Sequence, residues 1–569
     1  MPPLRRFRRL TRHFYRRFFE NDLISPAGDA NVGLSHVLAA FLTPGLLIAS
    51  LVLLKYALNH TTWDHVVELA FEDALLYVAM SMIVLGIAAT VTWDAFFLEA
   101  RDHYILGLLP VGHRLLAAAK LGSLGVYMAI FVGAANAIPI ALVPILMLQR
   151  VDGATFLHHF VPLTLAHALA TLLSGAWVIL AVVTLRGLGA LILPGKAFRR
   201  VGPLLQGGLI LAFLGWFVAL PQYLASGRAV FEAGGWARDA SPPMWFFGLY
   251  HAVIGQPQPA FHALARTALL ATGCTALAVV ALVFATPARR QADVQAASVI
   301  MSARRSRATR LVKRLAQLLL TEAHARATFR FTLAGFGRSA NHRIYLAAAA
   351  GAALAWSSSG FIWVYGREGL TGLYEPDARL LVMQHIVVLF VAAAMRFGVG
   401  IPLTLPANWI FRITEGMEVG PYHRGSRNAA LAAALLAVGV LLPVHASLWS
   451  WDVVVFHLLV GVIYAAFVVE FLFNAQVKIP FTAPYISGSI RLKTRWWVYI
   501  WGSWALAFIP AFLEARALRF GNGAVLLPAT LVILTAVLAV IRRRREHEAV
   551  GLKFDEIPDD VPQALGLFE

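Results

Sequence analysis

Apolar stretches of about twenty residues recur along the chain, divided by short polar segments. Each is long enough to cross a ~30 Å hydrocarbon core as a helix, the conformation that satisfies its own backbone polar groups in lipid. Twelve such spans are expected, near residues 35–58, 73–97, 118–147, 159–185, 204–225, 263–286, 343–364, 380–404, 428–449, 452–475, 496–515 and 523–541. The polar segments alternate in charge. Residues 59–72 hold no Lys or Arg, whereas 186–200, 289–343, 478–495 and 542–545 are basic. The positive-inside rule therefore puts both termini and every basic loop on the cytoplasmic side.

The segment before the first span has a different period. Phe7, Phe14, Tyr15 and Phe18 recur at helical spacing among seven Arg, so residues 1–34 are expected to contain a basic amphipathic helix lying in the inner interface as an elbow. A similar aromatic, basic segment, 329–343, precedes the seventh span. Each half then runs through two spans, a polar segment, two spans, a basic loop and two more spans. The fold class is an all-α polytopic membrane protein of about 12 transmembrane helices, as two parallel six-helix repeats. The domains are 1–34, the elbow; 35–286, the first repeat; 287–342, a cytoplasmic linker with a second elbow; 343–541, the second repeat; and 542–569, a cytoplasmic tail. The long external loop 226–262 occurs in the first half alone, and its aromatics are expected at headgroup depth.

Composition agrees with this reading. Of 569 residues, 59% are apolar and 14% charged, and the mean hydropathy is +0.70. A soluble protein carries about a quarter charged residues. The net charge of +18 is spread over many membrane-flanking loops, which fits anionic lipid and no nucleic acid. Cys274 is the single cysteine, so no disulfide forms within the chain.

Two segments hold candidate chemistry. Trp93 is followed by Glu99, Arg101, Asp102, Pro110 and Arg114 before an Ala-rich helix, and Trp409 is followed by Glu415, Glu418 and Arg427. Trp and Glu stand six residues apart in both. Gly416, Gly420 and Pro421 are expected to interrupt the helix of the second copy. The order of elbow, two spans, charged segment and four spans resembles the type-2 ABC exporter permeases. The stretches 102–120 (DHYILGLLPVGHRLLAAAK) and 242–250 (PPMWFFGLY) are similar to segments of that family. The resemblance implies that the charged segments are coupling helices. Trp93, Glu99, Arg101, Asp102, Pro110, Arg114, Glu415, Glu418 and Arg427 would then contact a soluble ABC ATPase subunit, in two copies. It also implies a bacterial cytoplasmic (inner) membrane.

The chain has no Gly-x4-Gly-Lys-Ser/Thr sequence, so ATP and Mg belong to the partner subunit and this chain is expected to have no catalytic residue, cofactor or metal of its own. Two other readings compete. One is a secondary transporter of the major facilitator type, which needs membrane-embedded charges to couple a proton. The other is an intramembrane transferase, which needs acidic or His residues gathered at one depth; none is evident along the sequence. Arg396 and Glu470 stand at similar depth in the eighth and tenth spans and are expected to pair, because a lone intramembrane charge is expensive.

Overall fold

A computed structural model describes residues 3–16, 18, 63–98, 111–149, 153–285, 312–317, 320–401, 420–474, 480–481, 492–521 and 525–548, with isolated positions between 41 and 56. Among the described residues every element is helical, and ten helices are long and apolar enough to cross a membrane. The chain divides into two units, Met1–Arg304 and Arg305–Glu569, with the break inside the expected linker.

The first unit begins with α1 (Pro3–Arg16). Its Arg residues 5, 6, 8, 9, 12 and 16 are exposed, while Phe14 is fully buried and Phe18, just past its end, nearly so. The period read from the aromatics is thus a helix, but its apolar face is covered by protein. It packs on α3 (His113–Met147), where the Lys120 ammonium lies 4.8 Å from the Phe14 ring centre and 5.6 Å from that of Phe18. Before α3 comes α2 (Trp63–Val91), which starts ten residues earlier than the apolar run. Its first turns carry Glu68, Glu72 and Asp73, and the helix takes up most of the segment expected to be a loop.

α4 (Gly153–Ile192), α5 (Gly195–Ala233), α6 (Pro242–Val253) and α7 (Pro259–Ala285) are the other long helices among the unit's described residues. α2 packs against α3, α4 and α5, and α4 against α3 and α7. α6 starts on Pro242, whose fixed φ and missing N–H suit a first helical position. It packs against α2, α4 and α7, with Met244, Phe246 and Phe247 fully buried. Met244, Trp245, Phe246, Phe247 and Leu249 put large apolar groups all round this helix, which makes its burial favourable on every side.

The second unit consists of α8 (Ala323–Arg338), α9 (Ala340–Glu368), α10 (Ala378–Gly398), α11 (Gly420–Leu448), α12 (Trp451–Phe473), α13 (Leu492–Phe520) and α14 (Leu526–Glu548). α8 packs on α11. α10 packs against α9, α11, α12 and α13, and α12 against α11 and α14. Gly420 and Pro421 are the first described residues of α11, where proline costs little, and Gly416 lies outside the described residues. α14 runs beyond the expected end at 541 because Arg542 and Glu546 bond one turn apart. Exposed apolar side chains such as Leu204, Leu277, Leu436 and Val440 stripe the outer faces, as lipid contact requires.

Candidate functional site

Of the residues expected to touch an ATPase, Glu99, Arg101, Asp102, Pro110, Glu415 and Glu418 lie outside the described residues. Arg114 is exposed in the first turn of α3, open to a partner. Trp93 is a correction. It sits in a 3-10 turn, Trp93–Phe96, at 2% exposure, and with Phe96 and Phe97 anchors the end of α2 in the core. Asp94 of this turn takes an ion pair from Arg186 of α4 at 3.0 Å, and the Arg186 guanidinium lies 4.5 Å from the Phe97 ring centre.

Arg427 is a second correction. Its guanidinium is turned inward, 3.2 Å from Glu470 Oε2. Glu470 also accepts from Arg542 Nε, and Arg542 Nη1 donates to Glu546 at 2.8 Å. The expected pair of Arg396 with Glu470 is therefore replaced. Arg396 Nε donates to the Leu472 carbonyl at 3.1 Å and its guanidinium stands over Phe473 at 5.8 Å. The sequence reading matched depths correctly but could not see that α11 and α14 bring two nearer cations to the same carboxylate. Arg424, one turn before Arg427, pairs with Glu322 at 2.7 Å and ties α11 to the start of α8.

At the other end of the second unit lies a cluster that the sequence reading missed. His385 of α10, His445 of α11, His457 of α12 and Glu514 of α13 are all buried, with Glu514 and both His385 and His457 at 0% exposure. His457 Nδ1 lies 2.7 Å from Glu514 Oε1, and His385 Nε2 lies 3.8 Å from Glu514 Oε2. The His445 and His457 rings are 4.7 Å apart, and His445 stacks on Trp449 at 5.2 Å. Gln384 Nε2 donates to the His457 carbonyl at 3.0 Å, and Tyr464 closes over His385 with ring centres 4.5 Å apart. Acidic and His residues are thus gathered at one depth after all. Counting residues inward from the same end of the four expected spans would have grouped them, since each stands within a turn or two of that end.

The first unit fills its corresponding end with α6. Tyr56 Oη donates to Asp73 Oδ2 at 2.8 Å, and Lys55 pairs with Asp73 Oδ1 at 3.0 Å. The Tyr77 ring meets His167 at 4.8 Å. His251 of α6 stacks on Phe261 at 4.6 Å, and burial pushes its imidazole down to about 3, so it is neutral at physiological pH. His167 and His251 are core histidines here. The exposed Trp236, the Trp245 indole donating to the Asp239 carbonyl, and the exposed Trp501 fit interfacial anchors.

A cleft of about 410 Å³ opens beside α4 and α5 of the first unit. Met82, Trp177, Val182, Phe213 and Trp216 line it, and its walls are almost wholly apolar. Among the described residues no group of three or more His, Cys, Asp or Glu is arranged to hold a metal ion. No family model, curated protein or solved structure matches the chain.

Proposed function

We propose that the chain is the membrane-spanning permease subunit of an ABC exporter, driven by a separate ATP-binding subunit at the junctions 93–120 and 409–427. One observation carries this reading: the two units have the same order of neighbours. In each, a short helix with buried aromatics lies on the helix that follows the junction, α1 on α3 and α8 on α11. In each, the helix before the junction meets the three that follow it, and the second of those meets the last. This supports two parallel six-helix repeats, and the Lys/Arg asymmetry of the loops argues for both termini on the side of the basic loops.

A soluble motor needs a rigid lever that passes its movement to several helices at once. The end of α2 is fixed by Trp93, Phe96 and Phe97, and the start of α3 is braced by α1, so a push on the segment between them moves both helices. The apolar cleft suits a hydrocarbon-bearing cargo. Reversing both charges, Arg101→Glu with Asp102→Arg, is expected to reduce co-purification of the co-expressed ATPase at least tenfold while the permease stays folded. A double variant that still assembles and exports normally removes this segment from the contact. A second reading, a carrier driven by an ion gradient, is favoured by the His–Glu cluster. Export by vesicles that contain this chain without an ATPase would select it.

A further inference from the structure

We propose that His385, His457 and Glu514 form a proton-binding site, in which one exchangeable proton bridges His385 Nε2 and Glu514 Oε2 and holds α10, α12 and α13 together. The inference concerns the second unit's own chemistry and stands under either source of driving force.

Hydrogen-bond bookkeeping leads to it. His385 Nδ1 lies 3.2 Å from the Leu381 carbonyl, which can only accept, so Nδ1 carries the hydrogen. In a neutral imidazole the other nitrogen, Nε2, is then a bare lone pair. It faces Glu514 Oε2 at 3.8 Å, and neither atom has another hydrogen-bond partner. Two lone pairs facing each other at that separation repel. A proton on either atom turns the contact into a donor–acceptor pair, and a small closing of the gap completes it.

The second carboxylate oxygen is already committed. Glu514 Oε1 accepts from His457 Nδ1 at 2.7 Å, which leaves His457 Nε2 without a partner. Gln384 Nε2 donates to the His457 carbonyl and so holds the backbone from which this imidazole projects.

Charge gives the same answer. An ionised Glu514 at 0% exposure is a buried anion, and its ion-pair partners among the described residues are His385 and His457 alone. Among the described residues the surroundings supply no fixed cation. α9 presents Trp356 and Ser357 toward α10 and α13, α11 presents His445 and Trp449, and α12 presents His457 and Tyr464. On α13 itself, Arg516 is exposed and lies over Phe520 instead. A buried uncompensated carboxylate costs several kcal/mol, and a single proton makes the cluster neutral.

The site also lies close to the ends of its helices. His445 lies in the last turn of α11, Glu514 is six residues from the end of α13, and His457 is six residues into α12. At ~1.5 Å per residue the cluster is only about 9 Å from the helix ends. The unpartnered Nε2 atoms of His445 and His457 give a proton two stepping points. The balance is simple: hydronium at that face gives its proton to a lone pair of the site and leaves as water, and the reverse step empties it.

The test uses the full chain, purified in metal-free buffer in lipid nanodiscs. Infrared difference spectra across a pH titration should show the carbonyl band of a neutral, buried carboxyl that disappears as pH rises and is absent from Glu514→Gln. His385→Gln should move that transition along the pH axis, because it removes the shared lone pair. Since unfolding releases the proton, the wild-type unfolding temperature should fall through the same pH interval, while that of Glu514→Gln should be flat. A wild type in which neither a carboxyl band nor an imidazolium band titrates overturns the proposal, and needs no variant to fold. So does a band that His385→Gln leaves at the same pH. Stoichiometric zinc retained by the wild type and lost in Glu514→Gln would reassign the cluster to a metal.

Discussion

Glu470→Ala should be the most damaging single substitution in the second unit, costing about 3–5 kcal/mol, because it leaves buried cations without their anion. Glu470 is 7% exposed and holds Arg427 of α11 and Arg542 of α14 on one carboxylate. The two cations do not suffer equally. Arg542 keeps Glu546 one turn along its own helix, so it remains paired. Arg427 has no second anion among the described ion pairs, and 17% of its side chain is exposed. The damage is therefore expected to be concentrated at Arg427. Thermal unfolding of purified Glu470→Ala should show a drop of several degrees, and Glu470→Ala with Arg427→Met should recover much of it, since the apolar side chain removes the desolvation cost. Equal stability of Glu470→Ala and wild type would mean that water reaches this end of the bundle freely.

The network also shows what a sequence can and cannot disclose. Hydropathy located most spans, because a run of apolar residues is a local property. It placed α2 too late, because Glu68, Glu72 and Asp73 lower the average without breaking the helix. The aromatics of α1 revealed a helix, since period 3.6 is local too, but not that α3 would cover them. Partners of buried charges are decided by which helices meet. Arg396 and Glu470 had matching depths, yet α11 and α14 reached the carboxylate first. The His–Glu cluster draws one residue from each of four helices, so no window along the chain contains it. Only comparison of depths between spans would have suggested it. Likewise Trp93 resembled a surface docking residue because charged neighbours follow it, while its own indole is core.

A final expected result separates two glycines that do the same work in different ways. Both α1 and α8 lie on the helix after a junction, and both meet a glycine there: Gly122 of α3 and Gly425 of α11. A Cβ at Gly425 would stand 2.6 Å from the Ala325 carbonyl oxygen, 2.7 Å from Thr328 Cβ and 3.0 Å from the Phe329 amide nitrogen. Two of these atoms are backbone, so α8 itself must move. Phe329 and Thr328 are buried at this contact, and the Arg424–Glu322 ion pair next to it holds the geometry. Gly425→Ala is expected to cost about 1–3 kcal/mol or more through overpacking. At Gly122 a Cβ would meet the tip of Phe7 at 3.0 Å and the Thr11 hydroxyl and methyl at 3.2 and 3.3 Å, side-chain atoms that need give by only a few tenths of an ångström. Gly122→Ala should therefore be nearly neutral, helped by the ~0.5–1 kcal/mol that alanine gains over glycine within a helix. Gly439, on α11 with nothing within 4 Å, is the control for that gain, and Gly439→Ala should be neutral or stabilising. Thermal unfolding of the three variants, with co-purification of the ATPase alongside, reads the difference. If α8 is the brace that passes motion into α11, Gly425→Ala should weaken coupling even where residual fold survives. Should Gly425→Ala match Gly439→Ala in both measurements, the close approach of α8 to α11 constrains neither stability nor coupling.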